Sequence, residues 1–351
     1  MQLLSHKHIG FRGLQDNNYD LSNINLVIGD NGTGKTSLLE SVYVSLLGTP
    51  LNSFSSAGKN LSRNACGSLL SESTLKNDRK QEYTQGFVLS NHSKKLTSNG
   101  NKVSAREAFL QTPICLIDSN VEKVSSESPE YRRRLVDRSV FHVEQKHAES
   151  YKKLQKALKQ RNRSIKNGER ESVVRSWDAV ISNEGESVTE HRRRFARGLQ
   201  EEIDVIGRSI LKKEINLEFT NGWGDETLAA YLDRNTTRDI AARRTLGGPH
   251  RADLLISIDG KPAKEYSSKG EEKQMSLTVS FGISRLIEDK TGAIPMLLVD
   301  ELESGLDEAA LERIAQYIKS LKNQLFITTL EHHRIKEILG GKTIHPMQYN
   351  C

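Results

Sequence analysis

A chain of 351 residues with 36% hydrophobic content and a mean hydropathy of −0.57 has length for about two ordinary domains, and it holds no apolar run of the roughly 18 residues that a membrane-spanning helix needs. The opening residues MQLLSHKHIGFRG lack an apolar stretch with a small-residue cleavage site, and Cys66, Cys115 and Cys351 are too scattered for a zinc site or disulfide framework, so a cytoplasmic protein is expected. The formal net charge of +6 and pI near 9.0 favour an acidic partner such as nucleic acid over a membrane, because the basic residues are not confined to one amphipathic segment.

In chain order, INLVIG (24–29) is a short apolar run that predicts a buried strand, and SLLESVYVSLL (37–47) predicts an apolar helix. Between them GDNGTGKT, Gly29 to Thr36, fits the pattern G-x-x-x-x-G-K-[ST] at every defined position. Glycines are required there because the backbone N–H groups must turn inward around phosphate oxygens, at distances a Cβ would obstruct. Gly29, Asp30, Asn31, Gly32, Thr33 and Gly34 would form the cradle, Lys35 would pair with the β- and γ-phosphates, and Thr36 would ligate Mg²⁺. The N-terminus of the following helix adds favourable potential for an anion.

Residues 52–104 are rich in Ser, Asn, Gly and Lys and read as loops and hairpins. From about Pro129 to Leu228, charged segments such as YKKLQKALKQRNRSI and LQEEIDVIGRSILKKEI carry apolar residues at three- and four-residue spacing, which predicts a helical subdomain. Two basic clusters lie in it: Arg132, Arg133 and Arg134, then Arg192, Arg193 and Arg194 with Arg197 a turn beyond. Such clusters either contact a nucleic-acid backbone or line a solvated helix face. Aromatic residues are not interleaved with them, so duplex backbone is favoured over a stacking platform for single strands.

After the helical region DLLISIDGKPAKEY predicts a hairpin at Asp259-Gly260. YSSKGEEKQMSL (266–277) opens a helix with Ser268, Gly270 and Glu271, which reads either as an anion-facing helix terminus or as a surface cap. PMLLVD (295–300) is a second buried strand, ending in Asp300 and Glu301; Asp300 could reach the Mg²⁺ and Glu301 could orient or deprotonate a water. LDEAALERIAQYIKSL predicts a helix opened by Asp307, and QLFITTL (324–330) a third strand. One α/β domain interrupted by a helical excursion accounts for the order of elements.

A phosphate loop near the N-terminus, a helical middle, an S-x-G-[QE] segment ahead of D-E on a strand, and then S-G-L-D resemble the nucleotide-binding heads of ABC-type ATPases, including the structural-maintenance-of-chromosomes group. Within that group the chain resembles the RecF family. HIGFRGL (8–14) resembles the family's N-F-R-N strand and turn, SPEYRRRLVD (128–137) its G-x-P-x-x-R-R-x-F-L-D, KALKQRNRSIK (156–166) its A-L-x-Q-R-N-x-L-L-K, and GPHRADL (248–254) its G-P-H-R-D-D-L. QLFITTL resembles the strand that ends the family's core. The chain departs from the pattern in reading NSFSSAGKN (52–60) where an S-F-R segment is common, Glu271 where Gln is frequent, Ala252 where Asp is usual, and Asp300-Glu301 in place of Asp-Asp.

The resemblance implies a P-loop ABC-type ATPase head with an inserted helical subdomain. Residues 1–120 would be the N-terminal part of the ATPase domain, 121–240 a helical lobe, and 241–351 the C-terminal part with the signature and Walker B strand. It further implies that two heads stack head to tail around ATP and Mg²⁺, with Ser268, Gly270 and Glu271 acting on the nucleotide of the other copy and Ser304–Asp307 lying at that interface. Lys35, Asp300 and Glu301 would be catalytic in a weak ATPase, and hydrolysis would dissolve an ATP-dependent homodimer bound to duplex or gapped DNA. Recombinase loading with RecO- and RecR-like partners, away from any membrane, completes the expectation. The alternatives are an ABC-type subunit that drives a membrane partner, and a small-molecule phosphotransferase, which would need a substrate lid rather than a signature segment.

Overall fold

The computed structural model describes residues 1–51, 61–63, 68–90, 93–117, 124–330 and 333–349; the NSFSSAGKN departure lies outside them. The chain forms two compact units, Met1–Glu122 with Ser209–Leu211 and Gly292–Cys351, and Lys123–Arg208 with Lys212–Thr291. The boundary expected at residue 240 is thereby redrawn: the signature segment belongs to the same unit as the helical residues, because its helix continues to Thr291.

The first unit carries two sheets. Strands β3 (Ile24–Ile28), β8 (Ile114–Ile117), β12 (Met296–Val299), β13 (Leu325–Thr329) and β14 (Lys342–Ile344) run parallel in the order β14-β3-β13-β12-β8. The buried, largely apolar runs of β3, β8, β12 and β13 suit a sheet covered on both faces. Strands β1 (Gln2–Ile9), β2 (Asn17–Asp20), β4 (Leu69–Lys76), β5 (Glu82–Ser90), β6 (Ser93–Ser98) and β7 (Asn101–Lys102) form an antiparallel sheet in the order β2-β1-β4-β5-β6-β7, in which β4 to β7 are hairpins within residues 52–104.

Helix α1 (Lys35–Leu47) joins the two sheets. Leu39, Val42, Tyr43 and Leu46 share one cluster with Leu3 and Leu75 of the antiparallel sheet and Met296, Leu298 and Phe326 of the parallel one. Leu38 and Val44 pack with Val27, Leu69 and Phe87. A helix apolar all round is a buried helix. It stops at Gly48, whose φ of 68° favours a residue without a Cβ. Helices α2 (Ala105–Gln111), α10 (Glu308–Ser320, capped by Asp307) and α11 (His333–Leu339) complete the unit.

The alternating pattern of β4 buries serines as well as leucines, and these build a polar layer against α1. His6 lies between Ser73 (2.9 Å from Nδ1) and Ser41 (2.7 Å from Nε2); Ser73 meets Ser45 at 2.7 Å, and the Ser71 hydroxyl donates to the Ser41 carbonyl at 2.7 Å. Burial, and after it the charge on His8, holds the His6 ring well below its ordinary pKa.

The second unit contains α3 (Pro129–Val143), α4 (His147–Lys166), α5 (Glu171–Arg175), α6 (Asp178–Ile210), α7 (Leu228–Ala241), α8 (Ala263–Tyr266) and α9 (Lys269–Thr291). A small antiparallel sheet accompanies them: β9 (Ile215–Thr220), β10 (Asp253–Ile258) and β11 (Lys261–Pro262). Asp259 and Gly260, at φ of 47° and 74°, close the expected hairpin. The helical reading of LQEEIDVIGRSILKKEI fails at its end. Lys212 turns left-handed at φ 59°, and the chain enters β9, because pairing of Ile215 with Ile258 and Leu217 with Ile256 outweighs helix propensity. No described helix is long and apolar enough to cross a membrane.

Two expectations follow from the polar layer. His6→Phe removes a partner from two buried hydroxyls, at about 1–3 kcal/mol each, so the urea midpoint falls at unchanged slope. An unfolded histidine takes its proton near pH 6.5 while folded His6 refuses it, so its contribution is intact above that value and lost as pH falls. Part of the acid-side loss of stability should therefore vanish in His6→Phe; an identical pH profile in both proteins would contradict this.

Candidate functional site

The segment between β3 and α1 is built as a cradle. Gly32 and Gly34 lie at φ of 85° and 92°, where side-chain residues are strained, and a Cβ on Gly34 would stand 2.6 Å from Leu14 Cδ2. A Cβ on Gly29 would stand 2.5 Å from Thr33 Oγ1, which donates to the Asp30 carbonyl at 2.9 Å. Asp30, Asn31 and Gly32 form the exposed tip. Lys35, only 6% exposed, bends back so that Nζ donates to the carbonyls of Gly29 (2.6 Å) and Asp30 (2.9 Å). The ammonium thus fills the mouth of its own loop.

A C-terminal segment supports this cradle, and no motif in the chain announces it. His345 Nδ1 contacts the Ile28 carbonyl at 3.2 Å, and the Gln348 amide donates to the Gly32 carbonyl. Backbone bonds from Gln15 to Met347 and from Tyr349 to Gly13, each 2.8 Å, fasten that segment to the turn bearing Leu14.

Strand β12 delivers the two acids. Asp300 is 1% exposed and accepts the Thr36 hydroxyl at 2.9 Å on one oxygen and 3.2 Å on the other. It also accepts the Thr328 hydroxyl at 2.5 Å, while its own N–H continues the ladder onto the Ile117 carbonyl at 2.7 Å. Thr328 also steadies the neighbouring acid, since its Oγ1 accepts the Glu301 N–H at 2.8 Å. Glu301 is held there at φ 47°, a left-handed conformation that costs an L-residue roughly 1–2 kcal/mol. The strain aims the second acid away from the strand's own course. Thr328 lies in the QLFITTL strand; its only signal was a pair of hydroxyls ending an apolar run beside the strand that ends in Asp300.

Thr36 Oγ1 and Asp300 form an oxygen-only donor pair. That chemistry suits Mg²⁺, which takes one or two protein oxygens and completes its octahedron with phosphate and water. Among the described residues no group of three or more His, Cys, Asp or Glu side chains forms a metal cage, so a closed protein site is not the arrangement on offer.

In the second unit, the signature residues cap α9. The Ser268 hydroxyl accepts the Glu271 N–H at 3.3 Å and Glu271 accepts the Ser268 N–H at 2.8 Å, a reciprocal capping box. Lys213 donates to Glu271 at 2.5 Å. That hydrogen bond, followed by the Ser268 backbone N–H, lowers the Glu271 pKa to about 2. The surface-cap reading is therefore correct as local structure, and it leaves Gly270 at the first turn of a helix whose dipole favours anions. Back in the first unit, the Ser304–Asp307 segment follows a turn in which the Ser304 N–H meets the Glu301 carbonyl (3.1 Å); the Leu306 N–H then meets the Glu303 carbonyl (3.2 Å), with Gly305 at φ 74°.

The arginine clusters divide differently from the sequence expectation. Arg132 is buried and forks onto Asp253, with both bonds at 2.7 Å. Arg192 is buried and forks onto Asp137 at 2.7 and 2.8 Å. Neither guanidinium can reach a nucleic-acid phosphate without abandoning its carboxylate, which corrects the assignment of these two residues as DNA contacts. Arg134 pairs with Glu130, Arg193 with Glu190 at 2.8 Å and Arg194 with Glu144 at 3.1 Å, all on the surface. The carboxylates of Asp137 and Asp253 could not be paired with these arginines by spacing, since the partners lie 55 and 121 positions apart.

A family model described as the RecF/RecN/SMC N terminal domain matches residues 7–345. The DNA replication and repair protein RecF of Aliivibrio salmonicida is 30% identical over 333 residues, which cover 93% of this chain and 92% of the relative. That of Shewanella oneidensis is 28% identical over 319 residues, 90% of this chain and 88% of the relative. Among solved structures, the recombination mediator protein RecF-ATPrS in the RecFOR pathway superposes with a TM-score of 0.84 over 99% of this chain and 98% of that one, at 22% identity. A Smc head bound to the C-winged helix domain of ScpA gives 0.58 over 96% and 90%, at 14% identity, so both share the fold. An ABC/SMC-type head thus spans residues 7–345, and the chain belongs to the RecF family of DNA replication and repair proteins.

Proposed function

We propose that this protein is an ATP-dependent DNA-binding recombination mediator: a weak ATPase whose two copies close around ATP on duplex or gapped DNA and reopen after hydrolysis. The observation that carries the reading is the Thr36–Asp300–Thr328–Glu301 linkage, which ties the phosphate loop, the acidic pair and the strained backbone of Glu301 into one hydrogen-bonded unit. A phosphate site without chemistry would not need the strain. The RecF structure described as RecF-ATP supports the choice of nucleotide, and the RecFOR pathway named for it supports RecO- and RecR-like partners in the cytoplasm.

Thr36 and Asp300 would hold Mg²⁺, which supplies charge neutralisation on the phosphates. Lys35 exchanges the carbonyls of Gly29 and Asp30 for phosphate oxygens, an exchange of neutral acceptors for charged ones. Glu301 orients the attacking water and takes its proton, from a position fixed by the Thr328 hydroxyl. Ser268 and the first turn of α9 meet the nucleotide bound to the other copy. Because that contact exists only in the closed pair, ATP binding and dimerisation are one linked equilibrium.

Lys35→Ala should abolish ATP-dependent retention of duplex DNA in a filter or mobility assay; retention unchanged in ATP would remove the phosphate loop from the mechanism. Glu301→Gln should lower the hydrolysis rate by about 10²–10⁴ while the ATP-bound dimer accumulates. Light scattering that finds only monomer with ATP in this variant would contradict the closed pair.

A further inference from the structure

The loop 247–252, between α7 and β10, is braced more heavily than a surface loop requires. Buried Arg192, besides forking onto Asp137, donates to the Pro249 carbonyl at 2.7 Å. The Asn162 side-chain amide oxygen accepts both the N–H (2.7 Å) and the hydroxyl (3.0 Å) of Thr245. The Thr245 carbonyl is met in turn by His250 Nε2 at 3.1 Å. His250 Nδ1 would lie 3.3 Å from a Cβ on Gly248, a residue at φ 132°, so the ring packs on glycine backbone. Arg133 donates to the Ala252 carbonyl at 2.7 Å, next to Asp253, which Arg132 holds. Three helices, α3, α4 and α6, therefore send polar side chains to one short loop. Buried ionic contacts of this kind are poor sources of stability and good means of fixing position.

What is fixed is charge. Of the arginines on α3 and α6, Arg132 is matched by Asp253, Arg192 by Asp137 and Arg134 by Glu130. Arg133 and Arg251 make no ion pair among the described residues, and Arg251 is exposed. Burial, and after it the like charge of Arg192, push the Arg133 guanidinium below its usual range; the carboxylates of Asp253 and Glu130 pull the other way, and Arg251 adds a smaller push. Asp253 and Glu130 act on Arg133 only from beyond ion-pair distance and are already spent on Arg132 and Arg134, so two positive charges are left over, and a surplus of that kind favours an anion.

We infer that Arg133 and Arg251 form a seat for the sugar-phosphate backbone of duplex DNA, presented by the GPHRA loop. The occupant follows from the chemistry. The chain already has a glycine cradle for a nucleotide's phosphates at 29–36, whereas this loop offers guanidinium groups rather than converging backbone N–H groups, which is how sequence-neutral backbone contacts are made. The seat rests on the DNA-binding reading above and names residues for it. Arg132 and Arg192 act as its braces.

The test is a salt titration of duplex binding, in ATP, followed by fluorescence anisotropy. Arg133→Gln/Arg251→Gln should flatten the dependence of log affinity on log salt by about two units per protomer and weaken binding about 10- to 100-fold at low salt. Arg251→Gln alone, which removes no side-chain bond among the described residues, should flatten it by about one unit at unchanged thermal midpoint. Lys94→Gln/Lys95→Gln, a matched loss of two exposed charges on β6, should leave the slope as it was. An unaltered slope in the double arginine variant, or an equal loss in the lysine control, overturns the seat while the wild-type protein still binds. Loss of the ATP-dependent dimer in Arg251→Gln with an unchanged salt slope also overturns it, in favour of contact with the second copy. A wild-type protein that retains no duplex at any salt overturns the DNA reading itself, and the seat with it.

Discussion

Asp300 is the point on which the first unit's chemistry converges. Its carboxylate accepts hydrogen bonds from the hydroxyls of Thr36, in the first turn of α1, and Thr328, near the end of β13, while its backbone extends the pairing with β8. A carboxylate this buried must be satisfied by donors, and here both donors are residues with second roles. Thr36 belongs to the phosphate loop, and Thr328 holds the Glu301 N–H. A displacement of any one element is therefore felt at both acids. Two hydroxyls also leave lone pairs on the carboxylate, which has about four acceptor positions, so the arrangement admits a hard cation without being dismantled.

That geometry holds only if α1 keeps its rotation and register between the sheets. Apolar packing alone is a weak guide for a helix that is buried on every side, since many rotations bury similar area. The His6 layer supplies the missing direction. Ser41 and Ser45 lie four residues apart on one face of α1, and only one rotation presents both to His6, Ser71 and Ser73. Buried polar groups of this sort cost desolvation but select one arrangement over its neighbours. The position of Lys35 and Thr36 is thus set from the far side of the helix, by residues that never meet a phosphate.

The second unit follows the same logic with ions. Arg161 is fully buried and spans from Asp178 at the start of α6 (2.8 Å) to Asp239 in α7 (2.6 Å), and Asn162 beside it reaches the loop through Thr245. Segments that resemble the family's motifs at 128–137, 156–166 and 248–254 are thereby one construction in space. Spacing made the phosphate loop, the acidic strand and the S-x-G-E helix legible, because each is local: a turn, a strand end, a cap. It could not show which arginines are spent internally, since their carboxylates are distant in sequence, nor the roles of Thr328 and Gln348, which depend on parallel pairing and on a returning C-terminal segment. The hairpin at Asp259-Gly260 was readable from two residues, whereas the end of α6 was not, because β9 exists only through β10.

The central claim is that the phosphate loop of one copy and the α9 cap of another close on the same nucleotide. Site-directed cross-linking tests it most directly: Asn31→Cys in one tagged copy and Ser268→Cys in a differently tagged copy, mixed with a short bismaleimide linker with and without ATP. The account predicts a product carrying both tags that forms with ATP and disappears without it. Absence of that product in ATP, at concentrations where the protein is fully bound to DNA, would contradict it.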